Sequence, residues 1–302
     1  MADMRNRLDP RRLLEFLAVV RHGSFSAAAA ARNMSQPALS QAIALLEREI
    51  GETVVERGRH GARPNRLGRS LVHHAEALEA LLLRARRETD LMARGLVGAL
   101  AIGITPITSV GLVPKVVARL LAETPDISVS IVEGLDSEIT EMLRTRKLDL
   151  LVRRLGAAAQ HPDTEEEALL GVDWALITAP DHPLAGRGAV RLSDLADQRW
   201  VLPAGGSAFR QQMEVVFAAA GLDWPVRSIS TNSILAIKSM VMNAGCVSVV
   251  SSRLVEVEAA AGRLAVIRLA DVGSRRPVGL VWRRDEPLSP PAARFARIIR
   301  AI

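Results

Sequence analysis

Apolar residues in the first fifty positions recur at helical spacing in two blocks. Leu13, Leu14, Phe16, Leu17 and Val20 make the stripe of one supporting helix, and Leu39, Ile43, Leu46 and Ile50 share one face of another. Between them, Ser26 can cap a short helix over Ala27–Arg32, because its hydroxyl satisfies an otherwise orphan backbone N–H. The alanine run has high helix propensity and lets a neighbouring helix approach closely. Asn33 tolerates the left-handed conformation a tight turn needs. Met34 then packs inward, Ser35 caps the next helix, and Pro37 falls in its first turn, where a missing N–H costs little. The pattern predicts two short helices joined by a tight turn.

The face of the second helix opposite its apolar stripe carries Pro37, Gln41, Ala44 and Arg48, with Ser40 at the edge and Gln36 at the tip. Glutamine pairs bidentately with adenine, serine bonds a base or a phosphate, and an apolar ring contacts a thymine methyl. The helix N-terminus is itself a phosphate site. Next come Arg57, Arg59, Arg63, Arg66 and Arg69 around Gly58, Gly61 and Pro64, a basic loop with turn chemistry. Beside a duplex such a loop is a wing making salt-sensitive phosphate contacts.

Beyond the loop, Leu67, Leu71, Ala75, Leu78, Leu82, Ala85, Thr89 and Met92 mark an apolar seam with a three-and-four spacing, the signature of a helix that packs on a partner helix. Gly95-Leu96-Val97-Gly98 breaks it. The pattern then alternates: strand 99–104, helix 110–123, strand 127–132, helix 136–146 and strand 148–152. A second unit runs from strand 174–178 through helices 208–220 and 232–243 to strand 247–250. Strands at 265–269 and 278–282 return to the first unit, and a helix over 290–301 ends the chain. Such alternation predicts mainly parallel sheets with helices on both faces.

Composition narrows the classes. A chain of 302 residues, 49% of them hydrophobic, holds two or three domains with ample core. The net charge of +6 favours a polyanionic partner, and residues 1–68 hold eleven Arg against seven Asp and Glu. The single Cys246 excludes an intramolecular disulfide and a cysteine zinc site. Neither a signal peptide nor an uncharged apolar run long enough to span a membrane is found, so a cytoplasmic protein without membrane contact is expected. His73 and His74 are adjacent and cannot share a helix face, Glu165-Glu166-Glu167 reads as a solvated surface run, and His182 sits in a turn. No phosphate-loop, dinucleotide or nucleophile-elbow signature occurs, so no catalytic residue, metal site or cofactor is expected.

The segment from Leu13 to Gly68 resembles the winged helix-turn-helix of the LysR-type transcriptional regulators. The likeness lies in FLAVVRHGSFSAAAAARNMSQPALSQAIALLEREIG, Val55-Glu56-Arg57 and Gly68. It continues through GALAIGI, TPDISVSIVEG, KLDLLV, APDHPLAG and ADQRWVLP. Gln41 stands where the family usually has a basic residue, and Pro64-Asn65 replaces its usual Leu-Thr. Ala244-Gly245-Cys246 replaces a Gly-x-Gly, and Ser251 a proline. The resemblance implies an all-α winged helix-turn-helix over residues 1–66 and a linker and dimerisation helix over 67–95. It further implies an α/β regulatory domain over 96–302, of two Rossmann-like lobes resembling periplasmic solute-binding proteins. Lobe I is expected over about 96–165 and 268–302, and lobe II over about 166–267.

DNA contacts are expected from Ser24, Ser26, Ser35, Gln36, Pro37, Ser40, Gln41, Arg57, Arg63 and Arg66. Open α/β sheets bind ligands at the carboxyl ends of their strands. That rule selects Thr105, Thr108 and Arg153 from one lobe, and Gly206, Ser207, Thr231, Asn232 and Ser233 from the other. Hydroxyls, backbone N–H groups and an arginine suit a small anionic metabolite. Arg153-Arg154 is the sharpest pair, because two charges directly after an apolar strand need a reason. The implied partners are double-stranded DNA with paired half-sites, a second or fourth copy of the chain, and RNA polymerase. The alternative is a solute-binding module without sequence-specific DNA reading, which accounts for the second half of the chain only. An enzyme of the same form would need a catalytic group that the motifs do not supply.

Overall fold

The computed structural model describes residues 8–58, 61–93, 98–156, 161–205, 208–272 and 276–302, in two compact units divided at residue 95. The first unit starts with α1 (Pro10–His22), which Asp9 caps by accepting from Arg11 N at 2.9 Å and Gly23 ends in the left-handed conformation. The next helix, α2 (Phe25–Ala31), begins two residues earlier than its composition suggests. Its cap is Ser24, whose extended backbone lets Oγ accept from Ala27 N, and Ser26 lies inside the first turn with Oγ 2.8 Å from Ser24 Oγ. Starting there places the half-buried Phe25 against the core and leaves Ala28 and Ala29 buried.

Asn33 takes the left-handed turn with φ 53°, and Ser35 caps α3 (Gln36–Ile50) by accepting from Ala38 N. Leu39, Ile43 and Leu46 of α3 are wholly buried against Phe16, Leu17 and Val19 of α1. The wing is an antiparallel hairpin of β1 (Val55–Gly58) and β2 (Gly61–Pro64), in which Glu56 faces Arg63. Asn65 joins it to the long helix α4 (Arg66–Ala93), donating from Nδ2 to Thr53 O and accepting at Oδ1 from Gly68 N. Leu71, Val72, Ala75 and Leu78 of α4 pack on the three-helix core. The later part of the helix leaves Leu81, Leu82, Leu83 and Met92 between 48% and 69% exposed.

The second unit has two lobes. In lobe I, β3 (Gly98–Ile104), β4 (Ile127–Glu133), β5 (Leu150–Arg154), β6 (Thr164–Val172) and β13 (Arg276–Arg283) form one sheet in the order β4-β3-β5-β13-β6. The first three strands are parallel, while β13 runs antiparallel to both β5 and β6. The helix expected over 110–123 starts at Leu112 as α6 (Leu112–Glu123), after Gly111 with φ 80°, and a short helix α5 (Pro106–Ser109) not expected from the pattern precedes it. One face of the sheet packs with α6 and α11 (Pro290–Arg300), the other with α7 (Asp136–Arg144).

Lobe II holds a sheet ordered β11-β7-β12-β8, from β7 (Trp174–Thr178), β8 (Ala189–Val190), β11 (Ser248–Ser251) and β12 (Ala265–Leu269). A parallel pair, β9 (Trp200–Pro203) and β10 (Ser228–Thr231), lies with α8 (Ala208–Ala219), α9 (Ile234–Asn243) and α10 (Glu256–Ala260) in the same lobe. Two expectations are corrected here. The strand at 265–269 stays in lobe II, antiparallel to β7, so only β13 returns to lobe I. Lobe I also extends through residue 172, because the acidic run 165–167, expected as a solvated surface run, is part of β6 and pairs with β13.

That strand escapes a hydropathy reading because its acids are paired instead of apolar. Glu166 lies 2.6 Å from Arg153, and Glu167 receives Nε and Nη2 of Arg300 at 2.9 and 2.6 Å. The hydrogen bond from Arg300 holds the Glu167 carboxyl below its ordinary 4.5. A lowered folded-state value means that the tie contributes fully above pH 4.5 and is lost as pH falls through the lowered value. Arg300→Gln should therefore lower the melting temperature at pH 7, and the gap from wild type should close in acid. Thermal unfolding across pH checks this; a gap that stays constant below pH 4 would contradict it.

Candidate DNA-reading face and effector cleft

Because Leu39, Ile43 and Leu46 turn inward, α3 presents Gln36, Pro37 and Gln41 exposed and Ser40 half-exposed on one outward strip. Arg48 continues the strip, its Nε donating to Ala44 O. The first turn is open to a partner, since proline occupies a position that needs no hydrogen bond. Ser24 and Ser35 act as caps, so their hydroxyls already accept main-chain N–H groups, while Ser26 is exposed. Arg63 on the wing and Arg66 at the start of α4 are exposed. The side chain of Arg57, together with Arg59 and His60, lies outside the described residues.

The wing is held at a fixed height by two close approaches. Ala62 N donates to Gly23 O at 2.7 Å, across from the turn that ends α1. Gly61 has φ +98°, and a Cβ there would sit 2.2 Å from the same carbonyl oxygen. A Cβ on Gly68 would meet Val54 O at 2.2 Å. Both glycines are thus demanded by backbone contact, and Gly61 by its conformation as well.

In the second unit, a cavity of about 200 Å³ opens between the lobes. Lobe I supplies Thr105, Ile107, Leu135, Asp136 and Arg154, from the carboxyl ends of β3, β4 and β5. Trp174, Thr231, Asn232, Ile234 and Ser251 face them from the other side. Among the described lining residues there is one cation, Arg154, whose guanidinium lies 4.3 Å over the Trp174 ring, and one carboxylate, Asp136. Burial pushes the Asp136 carboxyl above its ordinary value against the pull of Arg153. The hydroxyls of Thr105 and Ser251, 7% and 1% exposed, have no hydrogen-bond partner among the described residues. Neither hydroxyl caps the helical turn that follows it.

Thr105, Thr231 and Asn232 line this cavity, as their positions after strands suggest, whereas Thr108 and Arg153 do not. Thr108 is buried with Oγ1 2.8 Å from Val152 O, so its hydroxyl serves the main chain. Arg153 lies inside β5 rather than after it. Its side chain, 2% exposed, is held between Glu166 at 2.6 Å and Asp136 at 3.4 Å. Side chains alternate across a strand, so consecutive arginines point to opposite faces, and Arg154 is the one that reaches the cavity. Gly206 and Ser207 lie outside the described residues. Asp136 follows the end of β4 and Ser251 is the last residue of β11, and the strand-end rule applied to every strand would have found them. Trp174 begins its strand, and nothing local marks it.

A helix-turn-helix with a hairpin wing, a long helix and a two-lobed α/β unit around a cleft together define a ligand-responsive DNA-binding regulator. The chain belongs to the LysR family. Residues 10–69 match the bacterial regulatory helix-turn-helix protein model of the lysR family, and residues 93–302 match the LysR substrate binding domain. The transcriptional regulator GbpR of Azospirillum brasilense is 28% identical over 99% of this chain and 87% of its own. The RuBisCO operon transcriptional regulator of Allochromatium vinosum is 29% identical over 96% and 94%. Full-length CbnR, a structure solved with its target DNA complex, shares the fold at TM-score 0.66 and 24% identity, covering 97% of this chain and 99% of that one. This chain is thus a DNA-binding transcriptional regulator with an effector-binding domain. No described helix is long and apolar enough to cross a membrane, and no cluster of three metal-ligating side chains occurs among the described residues.

Proposed function

We propose that a homodimer or homotetramer of this regulator reads paired half-sites through Gln36, Ser40 and Gln41, with Pro37 against a thymine methyl. Arg57, Arg63 and Arg66 then hold phosphates beside the groove, and Ser24, Ser26 and Ser35 bring the helix N-termini to the backbone. The observation that carries this reading is the division of α3 into a wholly buried apolar side and an exposed strip of amide and hydroxyl groups. Two half-sites one helical turn apart would match a two-fold protein. The exposed leucines and methionine late in α4 offer the apolar surface for pairing copies.

A small anionic effector enters the interlobe cavity, where Arg154 is its charge partner and Thr105, Thr231 and Asn232 orient it. Its preference for one lobe arrangement shifts the population of oligomers with different half-site spacing. The protein works in the cytoplasm on DNA and with RNA polymerase, without a cofactor and without catalysing a reaction.

Gln36→Ala should alter sequence preference, at a cost of about 1–3 kcal/mol of discrimination at the contacted base pair. Arg63→Ala should weaken binding to all sequences alike and reduce the salt slope by about one. Fluorescence anisotropy on a panel of operator variants across salt measures both. Equal losses on every sequence for Gln36→Ala would overturn the base-reading role, and equal affinity of wild type for operator and random duplex would overturn the whole assignment.

A further inference from the structure

The cleft's charges restrict its ligand further than the word anion does, and this restriction rests on the anionic reading above. Arg153, Arg154, Asp136 and Glu166 gather at the ends of β4 and β5, and their formal charges cancel. Arg153 is held by both carboxylates and is absent from the cavity wall. Only Arg154 and Asp136 of the four reach the cavity. A ligand whose sole polar group is a carboxylate meets Arg154 but leaves Asp136 against an apolar surface. Arg153 Nη1 reaches one Asp136 oxygen at 3.4 Å, and such a ligand gives the rest of that partly buried carboxylate no donor, which costs free energy. The Asp136 side chain is 19% exposed and burial already raises its carboxyl, so it has a poor supply of water to make good the loss.

We propose that the effector is a small acid carrying a hydrogen-bond donor, hydroxyl or ammonium, away from its carboxylate: Arg154 takes the carboxylate and Asp136 the donor. An ionised aspartate only accepts, so it selects for a donor and repels a second carboxylate. Thr105 and Ser251, with unpartnered buried hydroxyls on opposite lobes, bond the same ligand and make lobe closure depend on its presence. The cavity of about 200 Å³ sets the size. A dry cavity of about 150 Å³ holds benzene, so the space here suits a single six-membered ring with its substituents.

The test is isothermal titration of the full-length protein with cyclohexanecarboxylate, its hydroxylated and aminated counterparts, and neutral cyclohexanediol. Wild type should bind the hydroxylated or aminated acid about tenfold or more tightly than the parent acid, the value of one hydrogen bond to a charged group. In Asp136→Ala that ratio should fall to about one while the acids still outbind the diol. Asp136→Asn keeps the volume and removes the charge, and it should lose any preference for the ammonium form even where the alanine variant does not fold. Equal affinity for parent and donor-bearing acids in wild type overturns the inference and leaves the anionic reading standing. A ratio unchanged in both variants overturns the role of Asp136. Failure of every acid, or binding of the diol as tight as that of the acids, overturns both readings together.

Discussion

Arg153→Ala should destabilise the regulatory unit by about 3–5 kcal/mol, the usual loss when one partner of a buried ion pair is removed. Arg153 is 2% exposed and spans two carboxylates on different elements, Asp136 of α7 and Glu166 of β6. Its removal leaves both acids desolvated and adjacent, with the space of a long side chain unfilled. The melting temperature should fall by roughly 6 °C or more, given about 2–4 °C per kcal/mol for a unit of this size. All four tryptophans, Trp174, Trp200, Trp224 and Trp282, lie in the regulatory unit, so their fluorescence follows that unit alone. The transition seen by tryptophan should move while the helical signal of the DNA-binding unit keeps its own midpoint. A shift under about 2 °C would show that the pair contributes little. Removing both acids at the same time, as Arg153→Met with Glu166→Gln and Asp136→Asn, should recover much of the loss, because an apolar or neutral replacement of the whole triad avoids stranding a charge. The loss in the single variant is a folding effect, and any change in effector response follows from it.

Gly61→Ala should disable the wing. The φ of +98° is one that L side chains rarely adopt, and the new Cβ would lie 2.2 Å from Gly23 O. Backbone strain of this kind costs about 1–3 kcal/mol before any clash is relieved. Relief means moving β2 away from the α1–α2 turn and breaking the bond from Ala62 N to Gly23 O. DNA affinity should fall on all sequences, and the helical transition of the first unit should shift downward with tryptophan fluorescence unmoved. Gly58→Ala, on the facing strand, is the control. Nothing lies within 4 Å of a Cβ built there, so its stability should stay within about 0.5 kcal/mol of wild type. Equal behaviour of the two variants would mean that the close approach at Gly23 does not hold the wing.

The DNA-reading half was legible because its signals are local. A capping serine, a proline in the first turn and apolar residues three and four apart act within one helix, so spacing alone places Gln36, Pro37, Ser40 and Gln41 on one face. Even there the cap was misplaced, since the alanine run points to Ser26 and the structure uses Ser24, two residues earlier. Ser24 became the cap because Gly23 ends α1 in a left-handed turn and the chain leaves it extended. The βα alternation of the second half was legible for the same reason, as far as β5.

What a one-dimensional pattern could not decide was which strand joins which sheet and which of two adjacent arginines meets the cavity. Residues 164–172 form a strand whose acids are neutralised by Arg153 and Arg300, partners 13 and 133 residues away. Hydropathy sees only a charged run. The register of β5 turns Arg153 into the sheet's ion pair and Arg154 over Trp174, and a shift of one residue would exchange them. By itself, the sequence determined that this chain begins with a helix-turn-helix and continues in an α/β alternation, since local periodicity and caps suffice for that, and the resemblance its motifs carry implied a regulator with a two-lobed ligand domain. Only the tertiary structure decided which charges are enclosed by the fold and which line the interlobe cavity, because pairing across strands depends on register and on residues far apart in the chain.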